Sequence, residues 1–218
     1  MNVIGMMKEH QLTVAVRTDT PEEAYGAAVA CMEGGIKLVE ITFSVPRADE
    51  VIKRISASEG IAVGAGTVLS VDDAKKALDA GASYIVSPNL DEEVVQFVKK
   101  EGSVSIPGAC TPAEIYRAHR AGADIVKLFP FVEIGGLNFL KAIRGPFPFI
   151  KYMLCGGATM ENISAYVAAR AAGILVGSSI IKRELVKNKD WEAIAGLSRA
   201  FVEKVEEALS AGSRTSQI

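Results

Sequence analysis

The sequence predicts an α/β protein with a (β/α)8 fold, the TIM barrel. Short apolar segments recur at a nearly constant spacing, amphipathic stretches separate them, and glycines precede several of the apolar segments. Short apolar segments are typical of buried parallel strands, and a repeated strand–helix unit is typical of α/β folds.

Eight segments are predicted to be strands, because each is apolar and ends in polar residues, glycine or proline. They are LTVAVR (12–17), KLVEITF (37–43), AVGAGTV (62–68), SYIVSP (83–88), SVSIPGA (103–109), DIVKLFP (124–130), IKYMLCGG (150–157) and GILVGSS (173–179). An open doubly wound sheet is the alternative. It usually carries a GxGxxG turn after the first strand, and TDTPEEA, which follows the first strand here, has none. The barrel is therefore the favoured architecture.

Residue patterns typical of helix starts and helix ends lie between these predicted strands. Thr20, Ser70 and Thr111 each precede acidic residues at the spacing of an N-terminal cap. Gly81 and Gly122 follow predicted helices, where glycine commonly adopts a left-handed conformation and ends the helix. These signals predict helices that begin at Thr20, Ser70 and Thr111, after the first, third and fifth predicted strands.

The chain is predicted to be one domain, 1–218, without a linker. Residues 1–11 are expected to form a short helix that closes the bottom of the barrel, and 190–211 a final amphipathic helix. The small, polar tail 212–218 is expected to be frayed.

Composition favours a soluble, cytoplasmic protein. Hydrophobic residues make up 49% and charged residues 23%, and the net charge of −2 argues against a nucleic-acid partner. No apolar segment approaches the roughly 20 residues that cross a membrane. Three scattered cysteines without a CxxC motif favour a reducing compartment. Neither His10 nor His119 lies in a metal-binding pattern, so no metal is expected.

The candidate active site follows from the architecture, because barrels of this class carry their chemistry at the carboxyl ends of the strands. Lys127 lies among apolar residues in the sixth strand. Desolvation would favour its neutral amine, which is a nucleophile. The alternatives are a solvent-exposed lysine at a strand end or a structural ion pair.

Glu40 lies in the second predicted strand, on the same side as Thr42. A carboxyl held among apolar side chains is suited to proton transfer near neutrality. A structural alternative is that Glu40 only neutralises Lys127 or Arg17. Arg17 could bind a carboxylate or a phosphate. Thr67 follows 64–66, whose small residues either leave room for a ligand or serve tight packing.

Glycines after the last two strands predict a phosphate site. Gly156 and Gly157 follow the seventh strand, and Gly177 and Ser179 follow the eighth. Barrels often bind phosphate through backbone N–H groups of these two loops.

With these motifs the sequence resembles the 2-keto-3-deoxy-6-phosphogluconate (KDPG) and 4-hydroxy-2-oxoglutarate (KHG) aldolases from Val14 to about Lys204. The motifs are VEIT (39–42), GAGTV (64–68), SP (87–88), IPG (106–108), KLFP (127–130), GPFP (145–148) and GGA (156–158). The resemblance implies a class I aldolase in which Lys127 forms a Schiff base with a 2-keto acid and Glu40 moves protons. It also implies that Arg17, Thr67 and Cys155 bind the substrate carboxylate. Phosphate would lie at Gly156, Gly157, Gly177 and Ser179.

The resemblance further implies no metal or organic cofactor, and a homotrimer. The sequence departs from many relatives at Cys155, where they have threonine, and from some at Ser44, where they have arginine. Either Arg47, which is close in sequence, compensates for Ser44, or the anionic end of the substrate differs. The alternatives are a phosphogalactonate aldolase and, more distantly, a phosphate-binding barrel that is an isomerase or a sugar-phosphate binder.

Overall fold

The computed structural model describes residues 2–215, with their side chains up to 211, and these residues form nine strands and ten helices. The strands are β1 (Leu12–Val16), β2 (Leu38–Thr42), β3 (Ala62–Gly66), β4 (Tyr84–Val86), β5 (Val104–Ile106), β6 (Gly108–Ala109), β7 (Val126–Leu128), β8 (Tyr152–Cys155) and β9 (Gly173–Val176). The helices are α1 (Val3–His10), α2 (Pro21–Glu33), α3 (Ala48–Ile55), α4 (Val71–Asp79), α5 (Glu92–Lys100), α6 (Pro112–Ala121), α7 (Gly136–Arg144), α8 (Ile163–Ala168), α9 (Arg183–Lys187) and α10 (Trp191–Thr215).

The strands confirm the predicted barrel, with one difference at the fifth predicted strand. All pairings are parallel, in the order β5-β4-β3-β2-β1-β9-β8-β7-β6. Segment 103–109 is divided into β5 and β6 at Pro107, which has no N–H to donate to a neighbouring strand. β5 pairs with β4 and β6 pairs with β7, so this one segment joins the two ends of the sheet.

The predicted helix signals are confirmed at their start points. Thr20 and Thr111 form complete capping boxes, and the side chain of Ser70 accepts a hydrogen bond from the N–H of Asp73. Gly122 ends α6 with a φ of 101°, a left-handed conformation that suits glycine. These caps fix where α2, α4 and α6 begin and therefore how long the loops before them are.

The barrel interior below the mouth is apolar and includes residues from α1. Val3 and Met7 of this helix pack in one cluster with Leu38, Tyr84 and Met153, which point inward from the strands. The predicted N-terminal helix therefore closes the end of the barrel at which the strands begin. The larger cluster lies outside the sheet, between the strands and the surrounding helices.

The final helix extends farther than predicted. It continues to Thr215, whereas the sequence predicted its end at 211, and the remainder of the predicted tail, 216–218, lies outside the described residues. Within 2–215, none of the helices combines the length and apolar character that spanning a membrane requires.

Candidate active site

Lys127 lies in the middle of β7, inside the barrel wall. Its backbone pairs with Gly108 on one side and Met153 on the other, and the residue is 5% exposed. The Nζ atom lies 4.9 Å from the centroid of the Phe129 ring. The amine is therefore held away from bulk solvent, as its apolar neighbours in the sequence predict.

Glu40 is the buried carboxyl of the site. It is 2% exposed, in β2, and Oε2 has no hydrogen-bond partner among the described residues. Burial raises the pKa of the Glu40 carboxyl above 4.5, and the positive charges of Lys127 and Arg17 partly oppose this shift. A carboxyl with a raised pKa and an unused oxygen is suited to give and take protons.

Two glycines of β3 allow side chains of the neighbouring strands to pack against its backbone. A Cβ atom on Gly66 would lie 1.8 Å from Oε1 of Glu40, and one on Gly64 would lie 2.2 Å from the ring of Tyr84. Of the two interpretations of segment 64–66, tight packing is therefore the correct one for these two glycines. The space beside them is occupied by side chains of the protein.

Arg17 and Thr67 form a pair at the mouth, just after β1 and β3. Nη2 of Arg17 donates a hydrogen bond of 3.1 Å to Oγ1 of Thr67. Thr67 has a φ of 55°, an uncommon conformation for a β-branched residue, directly after the last residue of β3. The guanidinium lies close enough to affect the pKa of both Glu40 and Cys155.

Cys155 is the last residue of β8 and is half-buried. Burial raises the pKa of its thiol to about 11, while Lys127, through its charge and a hydrogen bond, and Arg17, through its charge, lower it. The charge of Glu40 raises it further. A protonated thiol is a weaker hydrogen-bond donor than the hydroxyl of threonine. These mutual effects place Lys127, Glu40, Arg17 and Cys155 around one point at the barrel mouth.

A cavity of about 600 Å³ opens beside this point. Arg17 and Cys155 line it together with all four residues of the predicted phosphate site, Gly156, Gly157, Gly177 and Ser179. Lys127, Glu40 and Thr67 do not line it, but each interacts with a residue that does. The predicted residues therefore form an inner group around the amine and an outer group in the cavity.

The conformation of the loop after β8 is fixed by two side chains that the sequence analysis did not single out. Gly156 and Gly157 have φ angles of 111° and 73°. Tyr166 OH donates a hydrogen bond of 3.1 Å to the carbonyl of Gly156, and Asn162 Nδ2 donates one of 2.7 Å to that of Gly157. With their carbonyls bonded in this way, the two glycines are held in conformations that glycine adopts without strain.

The hydroxyl of Ser179 links the two phosphate-site loops. Its Oγ donates a hydrogen bond of 2.6 Å to the carbonyl of Ala158. The hydroxyl proton is therefore used within the protein. A ligand at this position would meet the backbone N–H groups of the turn that begins at Gly177, whose carbonyl accepts bonds from the N–H groups of Ile180 and Ile181.

Arg47, which the sequence offered as compensation for Ser44, is paired with acidic residues in the structure. Arg47 pairs with Glu22 at 3.6 Å and Glu50 at 3.3 Å and is directed toward solvent. Ser44 lies 2.9 Å from Thr42, oxygen to oxygen. These acidic partners lie on α2 and α3, and sequence proximity gave no information about the one on α2.

The part of the chain that the structure describes contains no group of three or more His, Cys, Asp or Glu side chains placed to hold a metal ion.

Residues 3–197 match the family model described as "KDPG and KHG aldolase". The chain belongs to this aldolase family. A 2-dehydro-3-deoxy-phosphogluconate aldolase of Treponema pallidum is 32% identical over 94% of this chain and 98% of its own length. The family is one of carbon–carbon lyases, so the predicted resemblance and enzyme class are confirmed.

Solved structures of known proteins have the same fold as this chain. A KDPG aldolase from Legionella pneumophila, with pyruvate captured as a covalent carbinolamine intermediate, has a TM-score of 0.82 and 29% identity over 91% of this chain and 97% of its own. A cube-shaped cage designed by fusing symmetric oligomeric domains has a TM-score of 0.86 and 28% identity over 95% of this chain and 76% of its own. The (β/α)8 fold and class I aldolase chemistry are thereby confirmed.

Proposed function

We propose that this aldolase cleaves KDPG to pyruvate and glyceraldehyde 3-phosphate through a Schiff base on Lys127. The observation that carries the proposal is the nearly solvent-free amine of Lys127 beside Glu40, a buried carboxyl whose pKa is raised. An amine kept from water and a proton-exchanging carboxyl are the two groups that imine chemistry needs.

The reaction begins when neutral Lys127 attacks the C2 ketone of the substrate. Glu40 supplies and removes the protons that allow the carbinolamine to lose water and become a protonated imine. A base then removes the proton of the C4 hydroxyl, and the C3–C4 bond breaks, with its electron pair moving toward the imine. Glyceraldehyde 3-phosphate leaves and an enamine remains. Protonation at C3 and hydrolysis of the imine release pyruvate and restore Lys127.

The substrate ends are held by the two groups of residues around the mouth. Arg17 and Thr67 bind the carboxylate of the pyruvyl half, with Cys155 as a weaker contact. Backbone N–H groups at Gly156, Gly157, Gly177 and Ser179 bind the phosphate, because such groups attract anions at the start of a helical turn. Arg17 and Cys155 line one cavity together with the four phosphate-site residues, which supports this orientation.

The same site is also proposed to cleave KHG to pyruvate and glyoxylate. The family's printed description includes KHG aldolases, and both substrates share the pyruvyl half that the inner group would bind.

Borohydride reduction in the presence of pyruvate tests the proposed nucleophile. We expect mass spectrometry to find a reduced pyruvyl adduct on the peptide that contains Lys127, and no adduct in Lys127→Ala. Lys151→Ala, which changes a solvent-exposed lysine just before β8, is the matched control and should keep the adduct. An adduct on a different peptide, or none in the folded protein, would contradict the mechanism.

A homotrimer in the cytoplasm is proposed as the working form. The three cysteines are free thiols, which is typical of a reducing compartment. One surface carries an aromatic patch, defined by Tyr116, His119, Phe147 and Phe149. Phe149 is 58% exposed, and exposed apolar patches commonly mark protein interfaces. The cage domain that resembles this chain is described as a symmetric oligomer, which supports a second copy as the partner.

A further inference from the structure

The outer wall of the active-site cavity carries two cations that the proposed function does not use. Arg183 and Lys187 lie at the two ends of α9 and both line the cavity that contains Gly156 and Gly177. Because they are separated by one helical turn, their side chains share one face of the helix. The short helix after the last strand therefore directs two positive charges into the phosphate end of the cavity.

The charges around these two cations do not cancel. Arg17, Arg183 and Lys187 line the cavity with two carboxylates, Asp19 and Glu23, which leaves one net positive charge. Glu23 is engaged by the backbone, because its Oε2 accepts hydrogen bonds of 3.2 Å from the N–H groups of Asp19 and Thr20.

Asp19 is paired with Arg183 at 3.5 Å, and both side chains are more than 70% exposed. Among the described residues Lys187 forms no ion pair. An exposed pair of this length contributes little to stability. A phosphate dianion could therefore take the place of Asp19 beside Arg183 at small cost and would find Lys187 unpaired.

We propose that Arg183 and Lys187 form a cationic subsite that binds the terminal phosphate of the substrate. This inference rests on the proposed function and adds a specificity element to it. The backbone N–H groups of the glycine loops supply orientation, and the two side chains supply full charges that discriminate a phosphorylated from a phosphate-free 2-keto acid. They make the enzyme favour phosphorylated substrates.

Steady-state kinetics of Arg183→Gln, Lys187→Gln and the double variant test this subsite. For KDPG, we expect the KM of the double variant to rise roughly tenfold, as expected for loss of two solvent-exposed charge contacts, with kcat within about twofold. For KHG, which has no phosphate, KM should stay within about twofold of the wild type. Added salt should reduce the difference between wild type and double variant for KDPG, because the contacts are exposed to solvent.

Lys182→Gln is the matched control, since it removes a neighbouring exposed charge that does not line the cavity. Its KM for both substrates should equal that of the wild type. The subsite is overturned if the double variant keeps the wild-type KM for KDPG, or if KM rises equally for KDPG and KHG.

Titration with inorganic phosphate, followed by calorimetry, separates this inference from the proposed function. The double variant should bind phosphate several-fold more weakly than the wild type or Lys182→Gln. If the wild type cleaves neither substrate, the proposed function fails. The phosphate titration still decides the subsite, because equal phosphate affinity in all variants would overturn it.

Discussion

Glu40 combines a position that is unfavourable for folding with the catalytic role proposed for it. Its side chain is almost wholly buried, and Oε2 has no partner among the described residues. Burying a carboxyl that is incompletely hydrogen-bonded lowers stability when the group is ionised. The nearby charges of Lys127 and Arg17 offset only part of this effect, because the pKa of Glu40 is raised overall.

Glu40→Gln is therefore expected to be less active and, near neutrality, more stable than the wild type. Between pH 4.5, the ordinary value, and the raised pKa, the folded protein keeps a proton on Glu40 that the unfolded chain has lost. Wild-type stability therefore falls as the pH rises through this range, and the glutamine variant lacks this loss. Its kcat should fall by about 10²- to 10⁴-fold.

Urea unfolding of both proteins between pH 4.5 and pH 8 measures this difference. The stability advantage of Glu40→Gln should be largest at high pH and should disappear toward pH 4.5. Glu93→Gln, an exposed carboxylate on α5, controls for replacing a carboxylate by an amide. An advantage that grows as the pH falls would contradict the burial argument.

At the scale of elements, β3 contributes to the site because two of its residues have no side chain. Its glycines alternate with Val63 and Ala65, so that Gly64 and Gly66 face the interior beside Tyr84 and Glu40. In a strand, glycine often marks the close approach of another group. In this case that group is the carboxyl of Glu40, which could not occupy its position beside any larger residue at 66.

Gly66→Ala is expected to reduce activity strongly. The added Cβ would lie 1.8 Å from Oε1 of Glu40, so the carboxyl must move by an ångström or more. Misplacement of this size costs on the order of 10²-fold in kcat. Gly196→Ala in α10 is the control, because nothing lies within 4 Å of its added Cβ and alanine favours the helix by about 0.5–1 kcal/mol.

Activity and thermal unfolding together check this pair of variants. Gly196→Ala should be fully active with an unchanged or raised Tm. Full activity in Gly66→Ala would show that Glu40 can function from a shifted position and would contradict its proposed role.

Much of the element pattern could be predicted from the sequence, because strands, caps and turns depend on local residues. Each observed strand lies within a predicted segment, and the capping boxes occur at Thr20 and Thr111. The break at Pro107 was missed, although proline itself was the available signal.

Lys127 and Glu40 could also be predicted from the sequence, because each is a charged residue within an apolar strand. Arg183, Lys187, Asn162 and Tyr166 were not predicted. Each belongs to a loop or a short helix whose direction depends on tertiary packing.

At the scale of the whole molecule, the aromatic patch is a surface feature that bears on the proposed trimer. Tyr116 and Phe147 are stacked with ring centroids 5.5 Å apart, and His119 and Phe149 lie 5.0 Å apart. The rings come from α6 and from the segment between α7 and β8, so the patch joins two neighbouring units of the barrel. Large exposed rings of this kind bury much apolar area when a second surface covers them.

Phe149→Ser is expected to weaken the proposed trimer. Loss of a buried aromatic anchor at an interface commonly costs about 2 kcal/mol or more, enough to shift the assembly toward monomers at micromolar concentration. Sedimentation velocity measures the change. Leu69→Ser, at another exposed apolar residue, should leave the assembly intact. A wild type that sediments as a monomer would refute the trimer.

The closed lower end of the barrel has a consequence for the order in which products depart. Val3 and Met7 of α1 fill that end together with residues of the strands, so traffic to and from the amine must pass through the mouth. In the proposed mechanism the pyruvyl fragment is tethered to Lys127 deep in the barrel, and the aldehyde lies between it and solvent. The aldehyde must diffuse out first, and in the synthetic direction pyruvate must enter before its partner.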